Sequence, residues 1–234
     1  MSDNTARRPS GTPAGGQFAQ RTGSEPDVTL DTATATARSD TQQRHFPDLM
    51  EATSIASAPN SSVEDLDSCL GDDRRMVRQL AAENPSATSA QIHRALDDPD
   101  WMVRCRAARN PSASPDHLDR ALADSDVGVR IAAAANPSAS PDHLDRALAD
   151  QHHSVRHSAA ANPSATPDHL DRALADTDRT VREAAIRNPM IRRHQLEASL
   201  TSADGDVRRT AEHILRTGTI KIGPNTYQSR RILD

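Results

Sequence analysis

The sequence predicts an all-α solenoid built from about six two-helix units, each 26 residues long. Three observations support this fold class. The stretch NPSASPDHLDRALAD occurs at residues 110–124 and again at 136–150, and it recurs with one serine changed to threonine at 162–176. A repeat at a fixed period of this length is typical of stacked architectures. Only 2% of the residues are aromatic, which is too few for a conventional core but suits short helices packed through alanine. An Asn-Pro pair also recurs every 26 residues, at Asn84, Asn110, Asn136, Asn162 and Asn188.

The apolar residues keep one register in every unit. Isoleucine or leucine stands eight residues after each of these asparagines and leucine stands twelve residues after it. Valine then stands nineteen residues after the asparagine, followed by arginine, and alanine stands at twenty-three. A degenerate first copy fits the same frame, which makes six units with atypical end copies, as the ends of a stack require. Its matching residues are Leu66, Leu70, Val77, Arg78 and Ala81.

The first helix of each unit has a clear beginning and a narrow apolar stripe. In the unit that starts at Asn110, Ser114 is the predicted N-cap and Pro115 the first helical residue. Asp116 lies in the first turn, where the helix dipole favours an anion. Leu118 and Leu122 follow at i and i+4, so both point to the same side.

The second helix of each unit is predicted to begin after an aspartate and to end at the Asn-Pro pair. Asp126 caps it, and Val129 and Ala133 face inward at i and i+4. Proline cannot continue the helical hydrogen bonds, so the helix stops before Asn136 and Pro137. Helices of about nine residues are marginal alone in water. Each unit must therefore cover the apolar stripe of the next.

The repeat region is predicted to span 49–217, between two segments without the repeat. Residues 1–48 are rich in small and polar residues without apolar periodicity, so we expect a disordered low-complexity tail. A short recognition motif around Phe18, in RRPSGTPAGGQFA, is the functional alternative to a solvated tail. In 218–234, polar and apolar residues alternate at 219–222, which predicts a short strand that needs a partner strand to be stable. This segment either caps the last unit or stays loose as a ligand for a partner.

Composition limits the compartment and the partners. The net charge is −5 and no segment is a basic block, so nucleic-acid binding is not favoured. Cys69 and Cys105 form neither a disulfide framework nor a metal-binding pair, which favours a reducing compartment. No secretion signal and no apolar run of about 18 residues is present, so we expect a cytoplasmic protein without a membrane partner. Lys221 is the sole lysine, which indicates the coding bias of a high-GC bacterium.

The unit, with DxxVRxxAAxNP followed by PxxLxxL, resembles the leucine-rich-repeat variant family over roughly residues 58–216. Its second helix also resembles those of HEAT and armadillo repeats. The resemblance implies a right-handed superhelical solenoid of alternating short helices, some of them 3₁₀. The founding type of the family has an N-terminal iron–sulfur cluster. This chain departs from that pattern, because two isolated cysteines cannot supply four thiolates, and we predict no cofactor.

Several residue types form columns along the predicted stack, and most are interpreted as structural. The arginine after each valine is expected to pair with an aspartate of its own or an adjacent unit rather than to bind phosphate. The asparagines are expected to cap turns. His117, His143 and His169 are expected on a solvated helix face, because stacked units are too far apart for these side chains to share a metal. His153 and His157 have a zinc-compatible i, i+4 spacing but no evident third ligand, so no metal site is predicted.

The positions that vary between units are the candidate binding surface. They stand seventeen, twenty-one and twenty-five positions after each unit's asparagine, opposite the Val/Ala face of the second helix. On a concave wall of side-by-side helices they give an apolar and aromatic centre with basic flanks, which is typical of interaction sites. The alternative is that Trp101 and Ile131 are buried against a neighbouring turn or the tail. The candidate protein-binding residues are Trp101, Arg109, Val127, Ile131, His153, His157 and Arg187.

These features favour a non-enzymatic scaffold that binds an unknown protein partner through the second helices. The alternative is a HEAT-like module that binds nucleic acid, which the net acidity of the repeat region disfavours. An enzyme is the third and least favoured hypothesis, because the sequence has no nucleophile–base pair, no glycine-rich phosphate loop and no metal-ligand cluster. No catalytic residue and no oligomeric state is predicted. The arginines that nucleic-acid binding would need are Arg75, Arg106, Arg109, Arg179 and Arg187.

Overall fold

The structure, a computed structural model, describes residues 49–221 and 227–229, with side chains as far as residue 219. The predicted disordered tail lies outside these ranges. The described helices are all α-helical, so the expectation that some would be 3₁₀ is wrong. The first helix, α1, covers residues 49–57. It is followed by α2 (Val63–Leu70), α3 (Arg75–Glu83), α4 (Ser89–Ala95), α5 (Trp101–Arg109), α6 (Pro115–Leu122), α7 (Val127–Ala135), α8 (Pro141–Leu148), α9 (His153–Ala161), α10 (Pro167–Leu174), α11 (Arg179–Arg187), α12 (Arg193–Ser199) and α13 (Gly205–Thr217).

The helices alternate as predicted, and the all-α solenoid of six two-helix units is confirmed. The even-numbered helices from α2 are the first helices of the units and the odd-numbered helices from α3 are the second helices. Each second helix packs against the second helix of the next unit, from α3 through α13. The first helices pack against the second helices of their own units and form the other layer.

The helix termini follow from the sequence. Ser140 is the N-cap of α8, its side chain accepts a hydrogen bond from the backbone, and proline occupies the first helical turn. The Asp126 carboxylate accepts a hydrogen bond from the Gly128 backbone N–H at 2.7 Å, which caps α7. In the next unit His152 replaces this aspartate, and its Nδ1 accepts from the Ser154 backbone N–H at 3.2 Å.

The core is a line of small and branched side chains between the two layers. Leu118, Val129 and Ala133 have no solvent exposure, and the same holds for their counterparts in the following unit. Ala132 and Ala134 are also fully buried, which lets neighbouring second helices approach closely. The valine stripe and the first leucine of the predicted leucine stripe therefore form the core. The second leucine is less buried, since Leu148 and Leu174 are half-buried and Leu200 is 37% exposed.

The two ends of the repeat region have different structures. Before α2, α1 takes the place of a preceding second helix, since Asn84 Nδ2 donates to the Ala56 and Ala58 carbonyls at 2.9 and 2.7 Å. After α13, which ends at Gly218 in the left-handed conformation, β1 (Thr219–Lys221) pairs antiparallel with β2 (Tyr227–Ser229). The predicted strand is therefore half of a hairpin. Whether it caps the last unit stays a prediction.

Candidate protein-interaction surface

The candidate site is a surface of the second helices, which we call the second-helix wall. It consists of three columns of side chains. Counted from the first residue of each unit, which is Asn84, Asn110 or their counterpart, the columns stand seventeen, twenty-one and twenty-five positions later. The two outer columns are largely exposed, and the middle column is mostly half-buried between neighbouring helices. From the first unit to the sixth the wall comprises Arg75, Gln79, Glu83, Trp101, Cys105, Arg109, Val127, Ile131, Ala135, His153, His157, Ala161, Arg179, Glu183, Arg187, Gly205, Arg209 and His213.

A column of arginines beneath the wall ties each unit to the next. Arg130 Nε donates to Asp150 Oδ2 at 2.8 Å, and Nη2 donates to Oδ1 of the same carboxylate at 3.3 Å. Its Nη1 donates to the carbonyls of Asp124 and Ser125 at 3.0 and 3.1 Å. Arg78, Arg104, Arg156 and Arg182 make equivalent contacts to aspartates. The paired interpretation is confirmed for these five arginines, which are not available to phosphate. Arg208 of the last unit instead donates to the Ser202 carbonyl.

These pairs also fix the charge of the carboxylates. Burial raises the pKa of Asp124, but hydrogen bonds from Arg104 and from the Asp126 backbone N–H outweigh burial and leave that pKa below its usual value. The hydrogen bonds that Arg104 donates to Asp124 correspondingly raise the pKa of Arg104. Both groups are therefore ionised at neutral pH, and the pair is a fixed part of the interface between units.

The asparagines form a second ladder. Asn136 Nδ2 donates to the Ala108 carbonyl at 2.8 Å and to the Asn110 carbonyl at 3.1 Å, both at the C-terminal end of α5, the preceding second helix. Its Oδ1 accepts from the Ser138 backbone N–H at 2.8 Å within the turn. The predicted turn cap is confirmed, and the same amide also links two units.

The histidine column is buried, so the prediction of a solvated helix face is wrong. His117, His143 and His169 are only 3–4% exposed. Each imidazole folds back over the start of its own helix, where Nδ1 accepts from the N-cap backbone N–H, at 2.9 Å in the case of His143 and Ser140. Burial, reinforced by the nearby His93, holds the pKa of His117 below its usual value.

A sequence signal for this role existed. The equivalent positions in the second and sixth units are glutamines, and Gln91 and Gln195 accept the same backbone hydrogen bond at 2.9 Å. Glutamine three residues after an N-cap is typical of a capping box. Histidine takes the same place here because its Nδ1 reaches the same N–H.

Trp101 lies in an outer column of the wall, in the second unit, and is both packed and exposed. A Cβ atom on Gly128 of the next unit would lie 2.9 Å from Trp101 Cζ3, so the indole rests directly against the start of α7. The side chain still exposes 42% of its surface. Val127 and Ile131 are partly buried against the core beside it. The predicted burial of Trp101 against a neighbouring turn therefore holds in part, and its role in binding stays a prediction.

The charged residues around Trp101 differ in their pairing. Within residues 49–219, Arg109 is exposed and forms no hydrogen bond or ion pair. Arg75 Nη1 lies 3.5 Å from Asp100 Oδ2. Arg106 Nη1 lies 2.7 Å from Glu83 Oε2. Arg109 is therefore a cation that a partner can engage without displacing an internal carboxylate.

The two histidines of α9 have separate partners. His153 Nδ1 lies 3.7 Å from Asp178 Oδ2, and its ring stacks on His152. His157 Nδ1 lies 3.0 Å from the Thr180 carbonyl oxygen. No three His, Cys, Asp or Glu side chains in the described ranges come together as a metal site. These histidines contribute polar surface that is oriented by the following unit.

A cleft between α11 and α13 lies at the C-terminal end of the wall and was missed from the sequence. Its volume is about 340 Å³, and three arginines line it together with two carboxylates. Arg179 and Arg209 both contact the Asp206 carboxylate. Arg179 Nε donates to Glu183 Oε1 at 2.8 Å, and Arg187 Nη1 lies 3.7 Å from Glu183 Oε2. Extending the repeat frame into the sixth unit would have added Arg209 to the wall.

No family model and no curated protein matches this sequence. Among solved structures, the chain is similar to a leucine-rich repeat variant described as having a novel repetitive protein structural motif. The two share 23% sequence identity with a TM-score of 0.50, over 71% of this chain and 69% of the other. At this level of identity the similarity establishes the fold, in agreement with the resemblance seen in the repeat motif. No helix in the described ranges is long and apolar enough to cross a membrane.

Proposed function

We propose that this leucine-rich-repeat-variant-type solenoid is a non-enzymatic scaffold that binds another protein through the second-helix wall. The observation that carries the proposal is Trp101, which is fixed against Gly128 and yet 42% exposed, beside the partly buried Val127 and Ile131. Tryptophan and arginine are enriched at binding hot spots, and exposed apolar clusters commonly mark interfaces. Arg109, in the same helix as Trp101, supplies an unpaired cation at the edge of this cluster.

The ladders beneath the wall support this role because they hold the surface in one shape. The Arg130 and Asn136 side chains each bridge two units, and both are buried or nearly so. A surface that is already ordered loses less conformational entropy on binding. Substitutions on the wall can thus change the partner without changing the fold.

A scaffold is favoured over an enzyme by the chemistry of the nucleophilic side chains. Burial raises the pKa of Cys69 and of Cys105, which keeps both thiols protonated and weakly nucleophilic at neutral pH. Both cysteines are free, which supports a reducing compartment such as the cytoplasm.

Nucleic-acid binding is disfavoured by the pairing of the arginines it would need. Glu83 holds Arg106, and Glu183 holds both Arg179 and Arg187. A row of phosphates along the wall would have to displace several of these carboxylates, because the pairs leave few arginines without a negative partner. Of the five arginines considered from the sequence, only Arg109 is unpaired within the described residues.

Quantitative affinity purification from the source cells tests the proposal, with Trp101→Ala as the main variant. Met190→Ala is the control, because Met190 is also an exposed apolar side chain but lies in the turn between α11 and α12. Loss of a hot-spot side chain costs about 2 kcal/mol or more, so recovery of direct partners should fall at least about tenfold with Trp101→Ala. Met190→Ala should leave recovery unchanged. Equal recovery with both variants, at unchanged melting temperature, contradicts the proposal.

A further inference from the structure

We infer that the partner segment bound by the second-helix wall is acidic, with an apolar side chain placed against Trp101 and carboxylates placed at the cleft between α11 and α13. This inference rests on the proposed function and names the chemistry of the partner. It follows from the distribution of charge between the two helix layers, from the ion pairs of the cleft and from the spacing of the units.

Charge is segregated between the two layers of the solenoid. The first helices carry ten acidic residues and five arginines, whereas the three columns of the wall carry five arginines and two glutamates. The five arginines of the wall are Arg75, Arg109, Arg179, Arg187 and Arg209. The wall is thus the basic surface of a chain whose net charge is −5. Complementary charge steers association and fixes orientation, so the wall favours an acidic segment.

The cleft contains more cations than carboxylates. Arg179, Arg187 and Arg209 share only Glu183 and Asp206, so one positive charge is not neutralised within the cleft. The volume of about 340 Å³ is large enough for an incoming carboxylate side chain. Arginine binds a carboxylate through two parallel N–H donors, so an acidic side chain entering here would meet donors suited to it.

Between Trp101 and the cleft, in the third and fourth units, the wall has no arginine, aspartate or glutamate side chain. In the outer column, Ala135 and Ala161 follow Arg109, so a bound chain can approach the helices closely in the third and fourth units. The middle column there holds Ile131 and His157. The expected partner pattern is therefore an apolar residue flanked by an acidic one, then a neutral stretch, then further acidic residues.

The spacing of the units sets the length of the partner segment. Trp101 belongs to the second unit and Arg187 to the fifth, which are three helix-to-helix steps apart. At about 8–10 Å per step the two places lie about 24–30 Å apart. About eight or nine residues span this distance in an extended chain, and about eighteen do so in a helix. A segment of about twenty residues covers both cases.

Selection from a random peptide library of about that length, displayed on phage and captured by the full-length chain, tests the inference. The enriched peptides should be net negative and contain an aromatic or large aliphatic residue. Their affinities are then measured as synthetic fluorescent peptides by anisotropy. Trp101→Ala should weaken binding at least about tenfold, and Arg187→Gln should weaken it about threefold to tenfold, more at low salt than at high salt.

Arg146→Gln is the matched control for Arg187→Gln. The Arg146 side chain is 48% exposed and paired with Asp119 on a first helix, against 49% for Arg187, which lies 3.7 Å from Glu183 on the wall. The control should leave peptide affinity unchanged. Equal weakening by both variants means that binding follows net charge and overturns the docking site.

The remaining outcomes separate the inference from the proposed function. Enriched peptides without an acidic bias, or no enriched peptide at all, overturn the inference but not the proposed function, which is judged by the Trp101-dependent proteins recovered from cells. A single-stranded or duplex DNA of similar length that binds more tightly than the peptides, with strong salt dependence, assigns the wall to nucleic acid and overturns both.

Discussion

Replacing Asn136 with alanine is expected to lower the free energy of unfolding by about 4–6 kcal/mol. The side chain makes three hydrogen bonds, two to carbonyls at the C-terminal end of α5 and one from the Ser138 backbone N–H. Each is worth about 1 kcal/mol net, and a buried carbonyl left without a partner adds about 1–3 kcal/mol. The Asn110 carbonyl keeps a second donor in the Ala113 backbone N–H, so the added cost falls mainly at Ala108.

Two further variants separate hydrogen bonding from packing. Asn136→Asp keeps the shape of the side chain but replaces the donor with an oxygen facing two carbonyls, so it should destabilise at least as much as alanine. Ser138→Ala removes an exposed hydroxyl from the same turn and keeps the backbone N–H, so it should cost less than about 0.5 kcal/mol.

Urea denaturation followed by circular dichroism and by the fluorescence of Trp101, the one tryptophan, measures these differences. Coincident transitions by the two probes would justify a two-state treatment of the stack. If Asn136→Ala costs no more than Ser138→Ala, the reasoning about the asparagine ladder is refuted.

Three other perturbations have expected outcomes. Gly128→Ala should destabilise the wild-type chain, because its Cβ would lie 2.9 Å from the Trp101 ring and 3.0 Å from the capping Asp126 carboxylate. In a Trp101→Ala background the Asp126 contact remains, so the same change should cost less; a double-mutant cycle of urea midpoints measures the difference, and equal costs would contradict the Trp101 contact. His143→Gln should change stability by less than about 1 kcal/mol, because Gln91, at the equivalent position of the second unit, accepts the same backbone hydrogen bond. His143→Leu cannot accept this bond and should cost about 1–3 kcal/mol. Equal urea midpoints for the two variants would argue against the capping role. The pKa of Asp124 is lowered overall, because its hydrogen bonds outweigh burial. The stability that Asp124 contributes is therefore present above the unfolded pKa of about 3.9 and is lost as the pH falls below about 4. Asp124→Asn should reduce this loss of stability between pH 5 and pH 3, and an unchanged loss would contradict the assignment.

The fold could be read from the sequence because one unit is written several times. Three features recur in register: the period of 26 residues, the leucines at i and i+4, and the Asn-Pro pairs that end the second helices. A substitution in one unit therefore does not hide the pattern, because the other units keep it. Caps such as Asp126 use local hydrogen bonds that depend only on nearby residues. The pairing of Arg130 with Asp150 was also predictable, because both residues keep a constant offset.

The remaining features depend wholly or in part on contacts between units, although the capping role of His143 also had a local signal in Gln91 and Gln195. The burial of His143 follows from a ring that folds back over its own helix start and meets Asp119 of the preceding unit, at 3.4 Å from Nε2. The position of Trp101 against Gly128 requires a helix-to-helix distance that the sequence does not give. The cleft was missed because Arg209 lies in the last unit, where the repeat motif is most degenerate.

The bonds of the asparagine ladder reach only the C-terminal end of the preceding second helix, so the chain can change in length by whole periods. Asn162 donates to Ala134 and Asn136, two positions that hold alanine and asparagine one period earlier as well. Excising residues 136–161 would therefore join Ala135 to Asn162 with every donor meeting an acceptor of the same kind. Gene duplication or deletion can therefore lengthen or shorten the molecule by one period at a time. The contacts of the first and last units with their neighbours are kept when an inner unit is added or removed.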